Sequence, residues 1–209
     1  MSTIAGDTGG VNAHRVPPRT IRFSDIPRQA LDEGRGTARE IWADLDDDLS
    51  LRWQLRVVEL QDSLGLLVGP AGTHHFVIGL AGPQVAVRTA GSSRVLRRDE
   101  VLAVMNSTVY FERSKLRPPG ASTVIVLTFS GTSAAPACIA GPVNPSGDLP
   151  GGAQLLVALR GSVTVNGAEL GQGAALLLDP RQTYRAGRST AHVLTIQGPT
   201  LREARDGYH

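Results

Sequence analysis

Few side chains in this 209-residue chain have the type and setting to do chemistry. Histidine is the side chain whose charge changes near neutrality, and a carboxylic acid joins it when apolar surroundings raise its pKa. His75, Glu112 and Tyr110 are therefore the candidate acid–base residues, each set among apolar neighbours at strand-like spacing. His74 and His75 are adjacent, and successive side chains of a strand point to opposite faces, so only one of them can enter a barrel. That weakens a metal site built from both and one carboxylate, Glu112 or Glu59. Nucleophiles are scarcer still. No Gly-x-Ser-x-Gly occurs, Cys138 lies near Pro136 with no histidine close in sequence, and Lys115 beside Arg117 reads as part of an exposed loop. Asp44, Asp46, Asp47 and Asp48 lack the central glycine and terminal glutamate of a calcium loop and read as a solvated turn. Gly34 and Gly36, followed by Thr37, Arg39 and Glu40, allow close backbone approach to a ligand, but the spacings of phosphate-binding loops are absent.

The elements that must position these groups read as strands. From residue 21 apolar residues recur with period two or in short runs, over residues 53–60, 75–80, 85–87, 101–105, 109–111 and 124–129. Glycine- and proline-containing turns separate them, at residues 69–72, 90–92, 118–120 and 131–133. One short helical turn is expected within residues 27–33. Residues 142–152 carry three prolines and three glycines and read as a surface connection to a second block of strands. There Asn166-Gly167, between alternating apolar residues, predicts a tight hairpin. The blocks resemble one another. Residues 76–87 and 155–165 each present an apolar strand, a glycine and an alternating strand, as an internal duplication would leave. The expected fold is all-β, two jelly-roll barrels in one chain.

Composition narrows the partners. The net charge is +2, with twenty arginines and one lysine interleaved among 19 carboxylates, and aromatics are 4%. Neither a cationic stripe nor an aromatic stacking set appears, so nucleic acid is not an expected partner. No apolar run approaches the roughly 18 residues of a membrane helix, and the first 18 residues lack a signal-peptide core. A lone cysteine excludes an internal disulfide. A cytoplasmic protein is expected.

Two stretches carry a resemblance to a known family. Gly34-Arg35-Gly36-Thr37-Ala38-Arg39-Glu40-Ile41 is similar to a glycine-rich run ending in Thr, Arg, Glu and Ile, and Leu51-Arg52-Trp53-Gln54-Leu55-Arg56-Val57-Val58-Glu59-Leu60 is similar to a strand that starts with an aromatic, a Trp and an Arg. Both belong to the HutD-like family, bicupins of the cupin superfamily associated with bacterial histidine utilisation, and the resemblance spans residues 20–198. The chain departs from it at Leu31-Asp32-Glu33, Arg35, Gln54, Arg56 and His74-His75, so the family's ligand does not transfer with the fold.

Residues 1–18, rich in glycine and proline with few large apolar groups, read as a tail, and the resemblance implies a first cupin-like barrel at 19–135 holding the ligand site and a second barrel with a C-terminal tail at 136–209. Alternation places Gln54, Arg56 and Val58 on one side of their strand, and in the family that side resembles a cavity lining. The expected ligand-binding residues are Thr37, Arg39, Glu40, Gln54, Arg56 and His75. Arg56 requires a negative partner if buried, from Glu40, Glu112 or the ligand, and an acidic, amino-acid-derived metabolite is the economical choice. The His-x-His, Glu and later His of metal-binding cupins are missing, so neither metal nor cofactor is expected. Two functions follow. One is a metal-independent binder that regulates or assists a pathway. The other is a cofactor-independent isomerase, cyclase or lyase using acid–base residues of the first barrel. Exposed barrel edges would also suit a homodimer.

Overall fold

The computed structural model describes residues 18–31, 33–89, 91–113, 120–132, 134–189 and 191–198. Residues 1–17 of the expected tail, Lys115 and the C-terminal residues 199–209 lie outside them. The chain is all-β. The first half comprises β1 (Arg19–Arg22), β2 (Gln29–Ala30), β3 (Glu33–Leu45), β4 (Leu51–Val68), β5 (Thr73–Ala81), β6 (Val85–Thr89), β7 (Ser92–Leu96), β8 (Val101–Val104), β9 (Thr108–Arg113) and β10 (Ser122–Ser130). The second comprises β11 (Ala137–Pro142), β12 (Ala153–Arg160), β13 (Ser162–Val165), β14 (Ala168–Gly171), β15 (Ala174–Leu177), β16 (Ala186–Ser189) and β17 (His192–Gln197).

A nine-stranded sheet runs β7-β6-β9-β4-β10-β5-β8, with β3 on β4 and β2 on β3. A five-stranded sheet runs β1-β15-β12-β17-β11, and a three-stranded one β14-β13-β16. Adding seven to the strand number carries the pairs β4–β10, β10–β5, β5–β8, β6–β7 and β6–β9 onto β11–β17, β17–β12, β12–β15, β13–β14 and β13–β16. The two blocks that look alike in sequence thus share one pairing scheme. The strand β1 departs from it: although it precedes the first block, it pairs with β15 of the second, Ile21 opposite Ala175.

Three apolar clusters hold the sheets together. One fills the inner side of the first half with Val58, Leu60, Val77, Phe111, Val124 and Val126 among others, and another fills the second half around Leu156, Val163, Leu170 and Leu176. The third lies between them, where Trp53, Leu55, Ile125 and Leu127 meet Leu155, Val157, Leu194 and Ile196. The residues 124–129 of β10 are therefore buried on both faces, which explains why they are apolar at every position but Thr128. At the rim of this seam Asp99, in the turn before β8, lies 2.6 Å from Arg160 Nη2 and 3.4 Å from His192 Nδ1 of the second half.

The short helix falls elsewhere than expected. Residues Phe23–Asp25 form one 3-10 turn, while Gln29–Ala30 within the expected stretch is strand. Pro27 accounts for the shift, because it drives Ile26 to extended backbone (φ −93°, ψ 131°) and lacks the N–H a continuing helix needs. The hairpin at Asn166-Gly167 forms as expected, with φ of 45° and 86°, joining β13 to β14.

Glycine is required at Gly82, where φ is +83° and a Cβ would stand 2.2 Å from the Ala121 carbonyl oxygen. Gly72 has φ +77° but open space around it. Gly82→Ala is expected to cost clearly more than the roughly 1–2 kcal/mol of left-handed strain expected for Gly72→Ala, as measured by urea denaturation of the two variants.

Candidate functional site

Alternation along β3, β4, β5 and β10 decides which expected residues meet. Glu40 lies opposite Arg56, Thr128 opposite both Gln54 and His75, and Val126 opposite both Arg56 and Val77. Glu40, Gln54, Arg56 and His75 thus share the inner face of the first half. Thr37 and Arg39 alternate to the outer face. The inner face below this row is apolar, so the polar groups are confined to one end of the half rather than lining a polar hollow.

Gln54 is buried and its Nε2 donates to Glu40 Oε2, which fixes the orientation of the amide; Gln54 Oε1 is left without a partner. Glu40 is exposed and Arg56 half-buried, so the row opens to solvent on the β3 side. His75 has no exposed surface. Its Nε2 faces the Ser107 carbonyl oxygen at 3.1 Å and must donate to it, so in the neutral ring Nδ1 accepts from the Thr128 hydroxyl at 2.9 Å. Burial pushes the His75 pKa below its usual value, the Ser107 carbonyl opposing and the Arg56 and His74 charges adding to the shift. Both ring nitrogens are used, so the imidazole is a fastener between β5, β10 and the turn before β9. Thr128, a hydroxyl residue inside an otherwise apolar strand, is the sequence signal that could have revealed this role.

The other acid–base candidates face the wrong way. Val109 and Phe111 are the inward residues of β9, so Tyr110 is 50% exposed and Glu112 points outward beside Arg88, Nη1 to Oε2 2.9 Å. The placement of these two beside the ligand is thereby corrected: the two-residue period of β9 permits only its apolar set inside. His74 faces out of the first half, but it is half-buried rather than solvated, its ring edge-on to Phe129 at 5.8 Å. Burial raises the Cys138 thiol pKa to about 12, which disfavours the thiolate that a nucleophile needs.

Arg39 holds the entry of the chain. Its Nη1 donates to the carbonyls of Phe23 (3.0 Å) and Ile26 (2.6 Å), and its Nε lies 3.5 Å from Glu59, which also meets Arg28 at 3.0 Å. It belongs to a cleft of about 440 Å³ between the two halves, not to the inner face of the first. A third place, missed by sequence reasoning, is a cleft of about 370 Å³ between β7 and β8, the two edges of the larger sheet. Val87, Leu102 and Val104 line it together with Thr89, Ser92, Arg94 and Asn106. The two strands are consecutive in the chain yet end at opposite edges of the sheet, and no motif in residues 92–106 marks the place.

In architecture the chain is a cupin-fold protein. It superposes on HutD from Pseudomonas fluorescens SBW25 with a TM-score of 0.70 and 19% identity, covering 87% of this chain and 97% of that one. A conserved protein of unknown function from Pseudomonas aeruginosa PAO1, PA5104, gives 0.70 and 22% over 87% and 98%. The pirin YhhW of Escherichia coli, solved with nickel(II), gives 0.59 and 9% over 88% and 99%. No family model and no curated protein matches the sequence. The fold is thus that of HutD, in agreement with the resemblance read from residues 34–41 and 51–60. The residues here do not fit a metal: both nitrogens of His75 are engaged, and among the described residues no three His, Cys, Asp or Glu side chains converge.

The His75 fastener has a pH signature. The unfolded chain takes up a proton near pH 6.5 and the folded chain only at lower pH, so stability falls as pH drops below about 6.5. Between pH 7.5 and 5 the wild type is expected to lose more stability than His75→Gln, which starts lower at pH 7.5. Chemical denaturation at several pH values checks this, and parallel curves would refute it.

Proposed function

We propose that the protein is a metal-independent cytoplasmic binder of a small acidic, amino-acid-derived metabolite, acting on a metabolic pathway by holding that ligand rather than converting it. In this reading the two halves, divided near residue 135, are two cupin-like barrels, and the repeated pairing scheme with a separate apolar cluster in each half supports the division. The ligand sits at the polar end of the first barrel. The observation that carries the reading is Arg56, a half-buried guanidinium at the polar end of the inner face, across from Glu40 and with Gln54 held beside it by Glu40. A carboxylate suits such a guanidinium, because paired N–H donors give orientation as well as energy.

The competing reading, an isomerase, cyclase or lyase, needs an acid–base group at the ligand. His75 is occupied on both nitrogens, and Tyr110 and Glu112 lie on the outer face, so the three candidates lend that reading no support.

A thermal-unfolding screen with amino-acid-derived acids tests the proposal. The true ligand at a hundredfold excess over its Kd is expected to add about 2.7 kcal/mol of stability. Arg56→Gln should abolish that gain while the unliganded variant still unfolds cooperatively, and mass spectrometry should find the ligand unchanged. A converted ligand would establish the enzymatic reading, and a gain that survives Arg56→Gln would move the site elsewhere.

A further inference from the structure

The cleft between the two halves is a different place from the polar end of the first. One wall is the outer face of the larger sheet, with Val57 and Glu59 of β4 and Leu80 of β5, and the opposite wall is the turn Gln172-Gly173 between β14 and β15. Phe23 and Ser24 close its end, the Phe23 amide donating to the Gly173 carbonyl at 2.9 Å. Neither half forms this cleft alone.

Arg39 makes it chemically specific. Its side chain is 11% exposed, and its three carbonyl contacts, to Phe23, Ser24 and Ile26, all engage Nη1, while Nε faces Glu59. Among the described residues no partner engages Nη2. The guanidinium is held rigid from one side and keeps two N–H donors for something else. Its ionic neighbours reinforce the point. Arg28 and Arg39 share the single carboxylate of Glu59, so this ion-pair group carries one positive charge in excess. A buried or half-buried excess cation favours an anionic partner. Phe23, Val57, Leu80 and Ala81 supply an apolar part of the lining, beside the uncharged polar Ser24, Thr123 and Gln172, and suit a hydrocarbon body rather than a second charge.

We infer that this cleft is a second small-molecule site, which takes a monocarboxylate with a short apolar body: the carboxylate accepts from Arg39 Nη2 and the body lies on Val57, Leu80 and Phe23. A ligand there touches both halves at once and steadies the seam between them. Ser24, Gln172 and Gly173 are shared with a groove of about 580 Å³ beside β1 and β14.

Calorimetric titration of the full chain with phenylacetate and hexanoate, against phenylacetamide and hexanamide as uncharged counterparts, tests the inference. The carboxylates are expected to bind at least about tenfold more tightly than their amides. Ser24→Trp places a bulky ring at the cleft from an exposed position and leaves the Arg39 contacts intact, and it should weaken carboxylate binding by about tenfold or more. Arg56→Gln should leave that binding unchanged, which separates this site from the one proposed on the inner face. Equal binding of acids and amides, loss of binding in Arg56→Gln but not in Ser24→Trp, or no binding of either acid at concentrations of about 10 mM would each overturn it.

Discussion

The apolar seam in which Trp53, Leu55, Ile125 and Leu127 meet Leu155, Val157, Leu194 and Ile196 is the contact on which the rest of the molecule depends. Each such side chain contributes roughly 1.5–3 kcal/mol when fully withdrawn from water. To form the seam, β4, β10 and β12 must bury one face against the other half and the opposite face inside their own. Little room remains for polar side chains, and those present must satisfy one another. Thr128 and His75 do so across β10 and β5, and Gln54 does so with Glu40 at the open side. The polar end of the first half is therefore a consequence of where the double burial stops.

The repeated pairing scheme makes the contrast between the halves informative. Equivalent strands carry different loads. The inner side of the second half is aliphatic, and the hydroxyl of its buried Tyr184 accepts from the Asp179 amide at 2.9 Å. The first half keeps a cation, an amide and a carboxylate on its inner face, at the end that opens to solvent. One architecture is used twice with different packing, and the half that departs from close apolar packing is the one in which the ligand site is proposed.

Arginine does much of the fastening. Arg39 ties the entry segment through three carbonyls, Arg185 Nε donates to the Ser146 carbonyl at 3.0 Å, Arg113 Nη1 to the Gln61 carbonyl at 3.1 Å, and Arg160 meets Asp99 across the halves. A planar fork of five donors can hold several acceptors of a turn at once, which the single ammonium of lysine does less well. The twenty arginines against one lysine thus fit a fold rich in turns whose carbonyls lack strand partners. A guanidinium in such a sequence is as readily a fastener as a ligand-binding group, and the two uses are told apart only by counting which nitrogens remain.

By itself the sequence determined what depends on near neighbours along the chain. The strands, the turn at Asn166-Gly167, the split of β4 into an inner set with Gln54 and Arg56 and an outer set with Trp53 and Val57, and the likeness of the two blocks all follow from a period of two interrupted by turn residues. The resemblance carried by residues 34–41 and 51–60 reached the same fold. Tertiary structure decided everything that joins distant strands. It sent β1 to β15, turned Tyr110 and Glu112 outward, gave His75 a carbonyl from Ser107 that engages its second ring nitrogen, and drew Arg39 into a cleft between the halves. Alternation fixes two faces for a strand but not which face turns inward, nor what lies across from it. That choice is made by the packing of whole sheets, whose energy is spread over side chains far apart in the chain.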